Sequence, residues 1–79
     1  MKAIILFFGA TADAVGRRRL ELDLQPETTS AAVFERVAEL HPELRGRKLL
    51  YSVNQEYAGG SEIINDGDEI AVFTAVSGG

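Results

Sequence analysis

KAIILFF, at residues 2–8, is the stretch of sequence that decides the fold, since nearly every position in it is apolar and it ends at Gly9. Branched and aromatic side chains favour extended backbone, so the stretch predicts a β-strand. Successive side chains of a strand point to opposite faces of its sheet. Ile5 and Phe7 therefore share one face, while their apolar neighbours occupy the other, and a strand apolar on both faces expects cover on both faces.

A second strand is predicted by RLELDL at residues 19–24, where leucines alternate with charged residues. This pattern is typical of a strand with one face on a core and the other in water. Residues 10–18 contain Gly16 and show no periodic pattern, so we interpret them as a connector between two strands that pair as a hairpin. Pro26 ends the pairing because it has no N–H to donate.

One helix follows the hairpin. Its candidate N-caps are Thr28, Thr29 and Ser30, and its apolar face comprises Val33, Val37 and Leu40. Pro42 disfavours helical backbone at the preceding residue, so we expect the helix to end near His41. We interpret His41 as a cap or surface residue.

The rest of the chain predicts two further strands, at residues 49–53 and 69–76. Between them lie Asn54-Gln55, which form a turn or a strand edge, the short apolar segment Ile63-Ile64, and a turn at NDGD in residues 65–68. Strand, strand, helix, strand, short segment, strand is the order of the ubiquitin-like β-grasp. We expect an α+β fold with a mixed sheet and one main helix packed on one of its faces. The chain is expected to be one domain, residues 1–79, with a flexible tail at 75–79.

Composition excludes several classes of site. The chain of 79 residues has no cysteine, which excludes a disulfide scaffold, a thiolate nucleophile, an iron–sulfur cluster and a cysteine zinc site. Its acidic residues are scattered and its one histidine stands alone, so we expect no metal site. No apolar run reaches the roughly 20 residues that span a bilayer, so we expect no membrane partner. Residues 3–10 resemble a short signal peptide, but we interpret them as the buried first strand of a cytoplasmic protein.

The net charge of −4 argues against a nucleic-acid partner and fits docking to a protein with a basic surface. Arg17, Arg18 and Arg19 form a run of positive charge with two interpretations. The run is a solvated surface, or it meets an acidic patch on a partner.

The first and last predicted strands are both apolar on two faces, yet only one helix is predicted to cover the sheet. We therefore expect an exposed apolar patch that serves as a protein interface, with Phe7, Phe73 and Ala75 as its candidate residues. The alternative is that residues 9–18 and 54–62 fold over the patch, and that the two phenylalanines belong to the core.

The C-terminal Gly78-Gly79 follows the last predicted strand closely. A tail without Cβ atoms passes through a narrow channel, and residues 75–79 reach about 16 Å when extended. A terminal carboxylate is a poor electrophile until it is activated, and the chain has no P-loop and no GxGxxG. The activating chemistry must therefore come from a partner, unless the two glycines are incidental.

Four pieces of sequence resemble the small subunits of molybdopterin synthase, which are ubiquitin-like sulfur carriers. They are ILFFG at residues 5–9, VNQ at 53–55, DGDEIA at 66–71 and VSGG at 76–79. The resemblance covers essentially the whole chain. Two stretches depart from the family pattern: GATAD at residues 9–13, and Thr74-Ala75 where the family often has prolines.

The resemblance implies a chemistry centred on Gly79. An adenylyltransferase related to ubiquitin-activating enzymes adenylates the carboxylate with ATP, and sulfur then replaces one oxygen to give a thiocarboxylate. Val76, Ser77 and Gly78 carry this group into a pocket of the large, catalytic synthase subunit, where the sulfur passes to a cyclic pyranopterin precursor of the molybdenum cofactor. The chain itself binds no cofactor and is not an enzyme on its own.

Three alternatives remain open from the sequence. The carrier serves thiamine synthesis, tungsten cofactor or tRNA thiolation; or the chain is a ubiquitin-like modifier joined to lysines through Gly79; or it is a plain β-grasp interaction domain. The last predicts that deleting the two terminal glycines changes nothing.

Overall fold

The structure is a computed structural model, which describes residues 1–74. Five strands form one mixed sheet in the order β2-β1-β5-β3-β4. The elements in chain order are β1 (Lys2–Phe7), α1 (Ala10–Val15), β2 (Arg19–Asp23), α2 (Ser30–Leu40), a 3₁₀ turn (Pro42–Leu44), β3 (Leu49–Val53), β4 (Glu56–Tyr57) and β5 (Glu69–Thr74).

The pairing of β1 confirms the predicted hairpin and mixed sheet. β1 pairs antiparallel with β2, so that Ile5 lies opposite Leu20, and parallel with β5, where Ile5 lies opposite Ile70. β5 in turn pairs antiparallel with β3. The first and last strands of the described chain therefore lie side by side in the middle of the sheet, as the α+β β-grasp prediction requires.

The main helix α2 begins where the sequence placed it. Of the three candidate caps, Thr29 takes the role, because its extended backbone lets its hydroxyl accept the Ala32 N–H at 3.3 Å. Ser30 is buried and donates its hydroxyl to a carboxylate oxygen of Glu62 at 2.6 Å. The helix ends at Leu40, and His41 caps it through an N–H bond to the Val37 carbonyl.

Glu62 ties the loop before β5 to the start of this helix. Its carboxylate accepts the Ser30 hydroxyl and the backbone N–H groups of Gly59 and Gly60, at 2.8 and 2.9 Å. Hydrogen bonds to the ionised form, that from Ser30 foremost, lower the pKa of Glu62 to about 2.

The core lies between α2 and one face of the sheet. Its buried apolar residues are Ala3, Ile5, Phe7, Leu22, Leu24, Val33, Val37, Leu44, Ile64, Ile70 and Val72. At its border the rings of Phe34 and Tyr51 stack with centroids 3.5 Å apart. Burial, with a smaller contribution from the Glu35 carboxylate, raises the pKa of Tyr51. The helix α2 thus covers one face of β1 and β5 and does not cover the other.

The interpretation of residues 10–18 as a plain connector is wrong, because residues 10–15 form the short helix α1. Six residues are too few to show a helical period, and an isolated helix of this length is unstable without tertiary contacts. Here Ala12, Ala14 and Val15 pack against the core, and α1 contacts β5 and the 3₁₀ turn. The last strand was predicted to run to residue 76; its part within the described residues is Glu69–Thr74.

Candidate docking site

The face of the sheet opposite α2 carries a set of apolar side chains, which we call the outer face. Strand alternation and register place on it Ile4, Leu6, Phe8, Leu50, Tyr57, Ala71 and Phe73. Leu6 lies beside Ala71 across the parallel pair, and Leu50 lies opposite Phe73 across the antiparallel pair. These residues form one continuous apolar strip across four neighbouring strands.

Aromatic rings dominate the exposed part of the outer face. The Tyr57 ring lies 6.0 Å from that of Phe73 at an angle of 50°. Tyr57 is 76% exposed and Phe8 is 51% exposed. Large exposed aromatic residues that are gathered on one face are typical of protein interfaces. The outer face therefore has the composition of a docking surface.

Neither of the two loops that were weighed as covers for this face closes it within residues 1–74. α1 packs toward the 3₁₀ turn, which follows α2 and buries Leu44 in the core on the helix side of the sheet. β4 extends the edge of the sheet, and its Tyr57 adds a ring to the outer face. The role of the face as an interface stays a prediction.

Phe7 does not belong to this surface. It is 2% exposed and packs in the core, where its ring meets the edge of His41 with centroids 5.8 Å apart. The sequence prediction that Phe7 contacts a partner therefore needs correction, because strand alternation turns Phe7 toward α2 and Phe8 away from it. Phe73 does lie on the outer face, and Phe8 is the residue that the sequence argument missed.

A buried threonine fixes the place where the outer face meets the end of β5. The Thr11 hydroxyl lies 2.7 Å from the carbonyl oxygen of Phe8 and 2.8 Å from that of Val72, and it accepts the Phe8 N–H at 3.1 Å. Thr11 is completely buried. One side chain thus joins α1, the end of β1 and the end of β5. The sequence alone does not indicate this role, because a lone threonine in a connector carries no pattern.

The described part of β5 ends at Thr74, opposite Leu49 of β3. The predicted tail residues Val76, Ser77, Gly78 and Gly79, together with the candidate interface residue Ala75, lie outside the described residues. The structure thus places the outer face, including Phe8, beside the strand that leads into the tail.

The described residues offer no catalytic set of their own. His41 Nδ1 lies 2.9 Å from a carboxylate oxygen of Glu43, and its ring packs on Phe7, so it has the contacts of a structural residue. Residues 1–74 contain no group of three or more histidine or acidic side chains placed to hold a metal ion. Among the helices of that range, none is long and apolar enough to cross a membrane.

Comparison with known proteins shows similarity along the whole chain. The model of the ThiS family matches residues 5–79. The molybdopterin synthase sulfur carrier subunit of Mycobacterium tuberculosis is 32% identical over 82 residues, covering 100% of this chain and 99% of that relative.

Solved structures show the same fold. SAMP1 from Haloferax volcanii is 25% identical with a TM-score of 0.88, and all of both chains is covered. A chain of the complex of subunits 1 and 2 of the molybdopterin-converting factor from Helicobacter pylori is 16% identical with a TM-score of 0.71, again over 100% of both chains. The similarity in sequence and in fold extends over the full length.

Proposed function

Because the chain belongs to the ThiS family, we propose that it is the sulfur carrier subunit of molybdopterin synthase and that it carries sulfur on the carboxylate of Gly79. The observation that carries the proposal is the 32% identity to a molybdopterin synthase sulfur carrier subunit over 99% of that relative's length. The family match also runs through the two terminal glycines to residue 79.

The proposed chemistry begins with activation of the carboxylate. A Gly79 oxygen attacks the α-phosphorus of ATP and pyrophosphate leaves, which gives an acyl-adenylate. A sulfur nucleophile from a donor then displaces AMP at the acyl carbon, leaving a thiocarboxylate. The thiocarboxylate sulfur displaces an oxygen substituent at a carbon of the pyranopterin precursor and forms a thioester. Water then cleaves the bond between the acyl carbon and sulfur, which leaves the sulfur on the precursor and returns the carboxylate for another round.

The described residues support a division of labour with the partners. They hold no accessible nucleophile with an adjacent base: the one histidine packs on Phe7 and faces Glu43, and the Ser30 hydroxyl that bonds to Glu62 is buried. A chain of this kind supplies a positioned terminal group, and the acids and bases of each step belong to the proteins that receive it. These are an adenylyltransferase related to ubiquitin-activating enzymes and the large synthase subunit.

The outer face is the surface that we propose for docking to the large subunit. A binding partner that covers Phe8, Tyr57 and Phe73 removes exposed aromatic area from water and, at the same time, holds the strand that leads into the tail. The Helicobacter pylori neighbour was solved as a complex of the two subunits, which supports a partner of this kind for the present fold.

A second candidate function has one observation in its favour. The neighbour from Haloferax volcanii was described as SAMP1, and a second structure from that organism as small archaeal modifier protein 1. A modifier uses the same activated carboxylate but transfers the whole chain to an amine. The two functions differ in the product: a thiocarboxylate in one case, an isopeptide bond in the other.

Intact mass spectrometry tests the proposal. The protein is incubated with its adenylyltransferase, ATP and a sulfur source. We expect a mass increase equal to one oxygen replaced by sulfur, localised to Gly79 by fragmentation. The thiocarboxylated protein, mixed with the large subunit and the pyranopterin precursor, should then yield molybdopterin.

The matched control is the chain lacking Gly79, which should keep the same thermal unfolding midpoint and lose both products. Sulfur transfer that persists in this variant would refute the proposal. An adenylate that forms but ends only in adducts to lysine would replace it with the modifier function.

A further inference from the structure

The charges of the protein are divided between the two ends of its sheet. β1 and β5 run parallel, and β2 and β3 run antiparallel to them. The carboxyl ends of β1 and β5 therefore meet the amino ends of β2 and β3 at one end of the sheet. We call this the tail end, because β5 finishes there at Thr74.

Six of the eight basic residues of the chain lie around the tail end. They are Arg17, Arg18, Arg19, Arg45, Arg47 and Lys48, and we call them the basic rim. Residues 17–19 lead into β2 beside the end of β1, where the Phe7 N–H donates to the Arg18 carbonyl at 2.9 Å. Residues 45–48 lead into β3, whose first residue lies opposite Thr74. The rim thus flanks the end of β5 on both sides.

The basic rim is exposed and largely uncompensated. All six residues are exposed, and within residues 1–74 only Arg19 makes an ion pair, at 3.0 Å to Glu21. The acidic residues nearest to the rim in the chain are Glu21, which pairs with Arg19, Glu43 of the 3₁₀ turn, which faces His41, and Asp13 of α1. A concentration of unpaired positive charge on one end of a small domain creates a directed field.

The opposite end of the sheet is acidic. It carries Asp23, Glu56, Asp66, Asp68 and Glu69 at the ends of strands and in the turn before β5, with Lys2 as the basic residue among them. The net charge of −4 is therefore the sum of a basic end and an acidic end. The expectation that the partner has a basic surface rested on that sum. It does not apply to the basic end, where β5 finishes.

We propose that the basic rim docks against an acidic surface that surrounds the pocket receiving residues 75–79, with the outer face as the apolar centre of the same interface. The inference rests on the proposed function, because its occupant is the protein that accepts the tail. Phe8 of the outer face lies in the groove lined by Arg17 and Arg18, so rim and apolar centre are continuous. The positive charge on both sides of β5 orients the protein so that the end of β5 faces the pocket before contact. Such electrostatic steering mainly raises the association rate.

The test compares three proteins of equal charge. Arg17→Glu with Arg18→Glu reverses one side of the rim, and Arg45→Glu with Lys48→Glu reverses the other. Arg36→Glu with Gln25→Glu and Ala32→Glu is the matched control, because these three exposed residues lie on α2 or in the segment before it, and Arg36 donates to the Asp23 carbonyl at the acidic end. Thermal unfolding checks that all three fold.

Association of each full-length protein with the purified large synthase subunit is followed by stopped-flow fluorescence over a range of ionic strength. We expect the wild-type rate to fall as salt rises, and each rim variant to associate about tenfold more slowly at low salt. The difference should vanish near 1 M salt, where the screening length is about 3 Å. The control should keep the wild-type rate.

Two kinetic results overturn this inference alone: a complex that forms at a rate independent of salt, or rim variants that associate no more slowly than the control. Tighter binding of the wild-type protein to a mixed-sequence DNA duplex than to the large subunit would also overturn it, since the rim would then serve nucleic acid. Failure to form any complex at low salt would refute the proposed function together with it.

Discussion

Thr11→Val tests whether one buried hydroxyl holds the end of β5 in place. The substitution replaces the hydroxyl with a methyl group of similar size at a completely buried position. It removes the contacts at 2.7 and 2.8 Å to the carbonyl oxygens of Phe8 and Val72. Each carbonyl keeps one backbone donor, from the N–H of Thr11 at 3.1 Å and of Phe8 at 3.2 Å.

The loss of stability in Thr11→Val depends on which polar groups lose a hydrogen-bond partner. Because neither carbonyl becomes fully unpaired, the loss is close to that of one net hydrogen bond, about 1 kcal/mol. For a domain of 60–100 residues this lowers the midpoint of thermal unfolding by about 4–8 °C. Circular dichroism during heating measures the midpoint, and hydrogen exchange of the Phe8 amide should become faster because that amide loses the hydroxyl acceptor at 3.1 Å.

Thr28→Val is the matched control, since it deletes the same atom. The Thr28 hydroxyl donates to the Gln25 carbonyl at 2.6 Å in an exposed setting, where water takes over the bond. We expect less than about 0.5 kcal/mol there. If the two variants lose equal stability, or if the Phe8 amide stays equally protected in both, the assignment of Thr11 as the link between α1 and the two central strands is wrong.

Three further substitutions test other parts of the structure. Phe8→Ser should weaken binding to the large subunit at least tenfold in titration calorimetry. Leu40→Ser should not, because Leu40 is equally exposed but lies on α2, on the opposite side of the sheet; equal losses would contradict the docking surface. Glu62→Gln should reduce the fall in the midpoint of thermal unfolding between pH 4.5 and pH 2. The lowered pKa of Glu62 stabilises the fold above pH 4.5, and this contribution disappears as the pH falls toward 2. If the midpoint of the variant falls as much as that of the wild type over this range, the prediction is wrong. Gly67→Ala should cost about 1 kcal/mol in urea unfolding, since Gly67 has φ +84, and a neutral result would contradict the turn.

Most of the fold follows from short patterns in the sequence. The leucines of residues 19–24 alternate strictly, and the structure turns Leu22 and Leu24 into the core. The strand at residues 49–53 was predicted with its observed bounds. Thr29 before the apolar period marks the start of α2, and Pro42 marks its end. In each case a local steric or hydrogen-bonding requirement coincides with the global arrangement.

The elements that escaped prediction depend on distant contacts. α1 is held by packing on β5 and on the 3₁₀ turn, and neither contact is visible in the sequence of residues 10–15. β4 has two residues and exists because it pairs with the end of β3. Short elements of this kind carry too few residues for a period to show.

The apolar outer face was predicted in outline, with Phe7 assigned to the wrong side of the sheet, and its role in docking stays a prediction. KAIILFF is apolar on both faces, so the sequence does not say which face α2 covers. That choice depends on the register with β2, which places Leu22 opposite Ala3 and Leu20 opposite Ile5 and thereby turns Phe7 inward. The basic rim escaped for a similar reason, because residues 17–19 and 45–48 come together only when β5 lies between β1 and β3.

The central place of β5 has a consequence for how the protein is made. Glu69–Thr74 is the last described strand to leave the ribosome, yet the sheet is divided without it, since β1 and β3 contact each other only through β5. Pairings between strands so far apart in the chain are slow to form, and a nascent chain cannot complete its sheet before residue 74 emerges. The two halves of the outer face are joined in the same event, because Ala71 and Phe73 of β5 lie between Leu6 of β1 and Leu50 of β3. The apolar strip therefore becomes continuous only after β5 has paired.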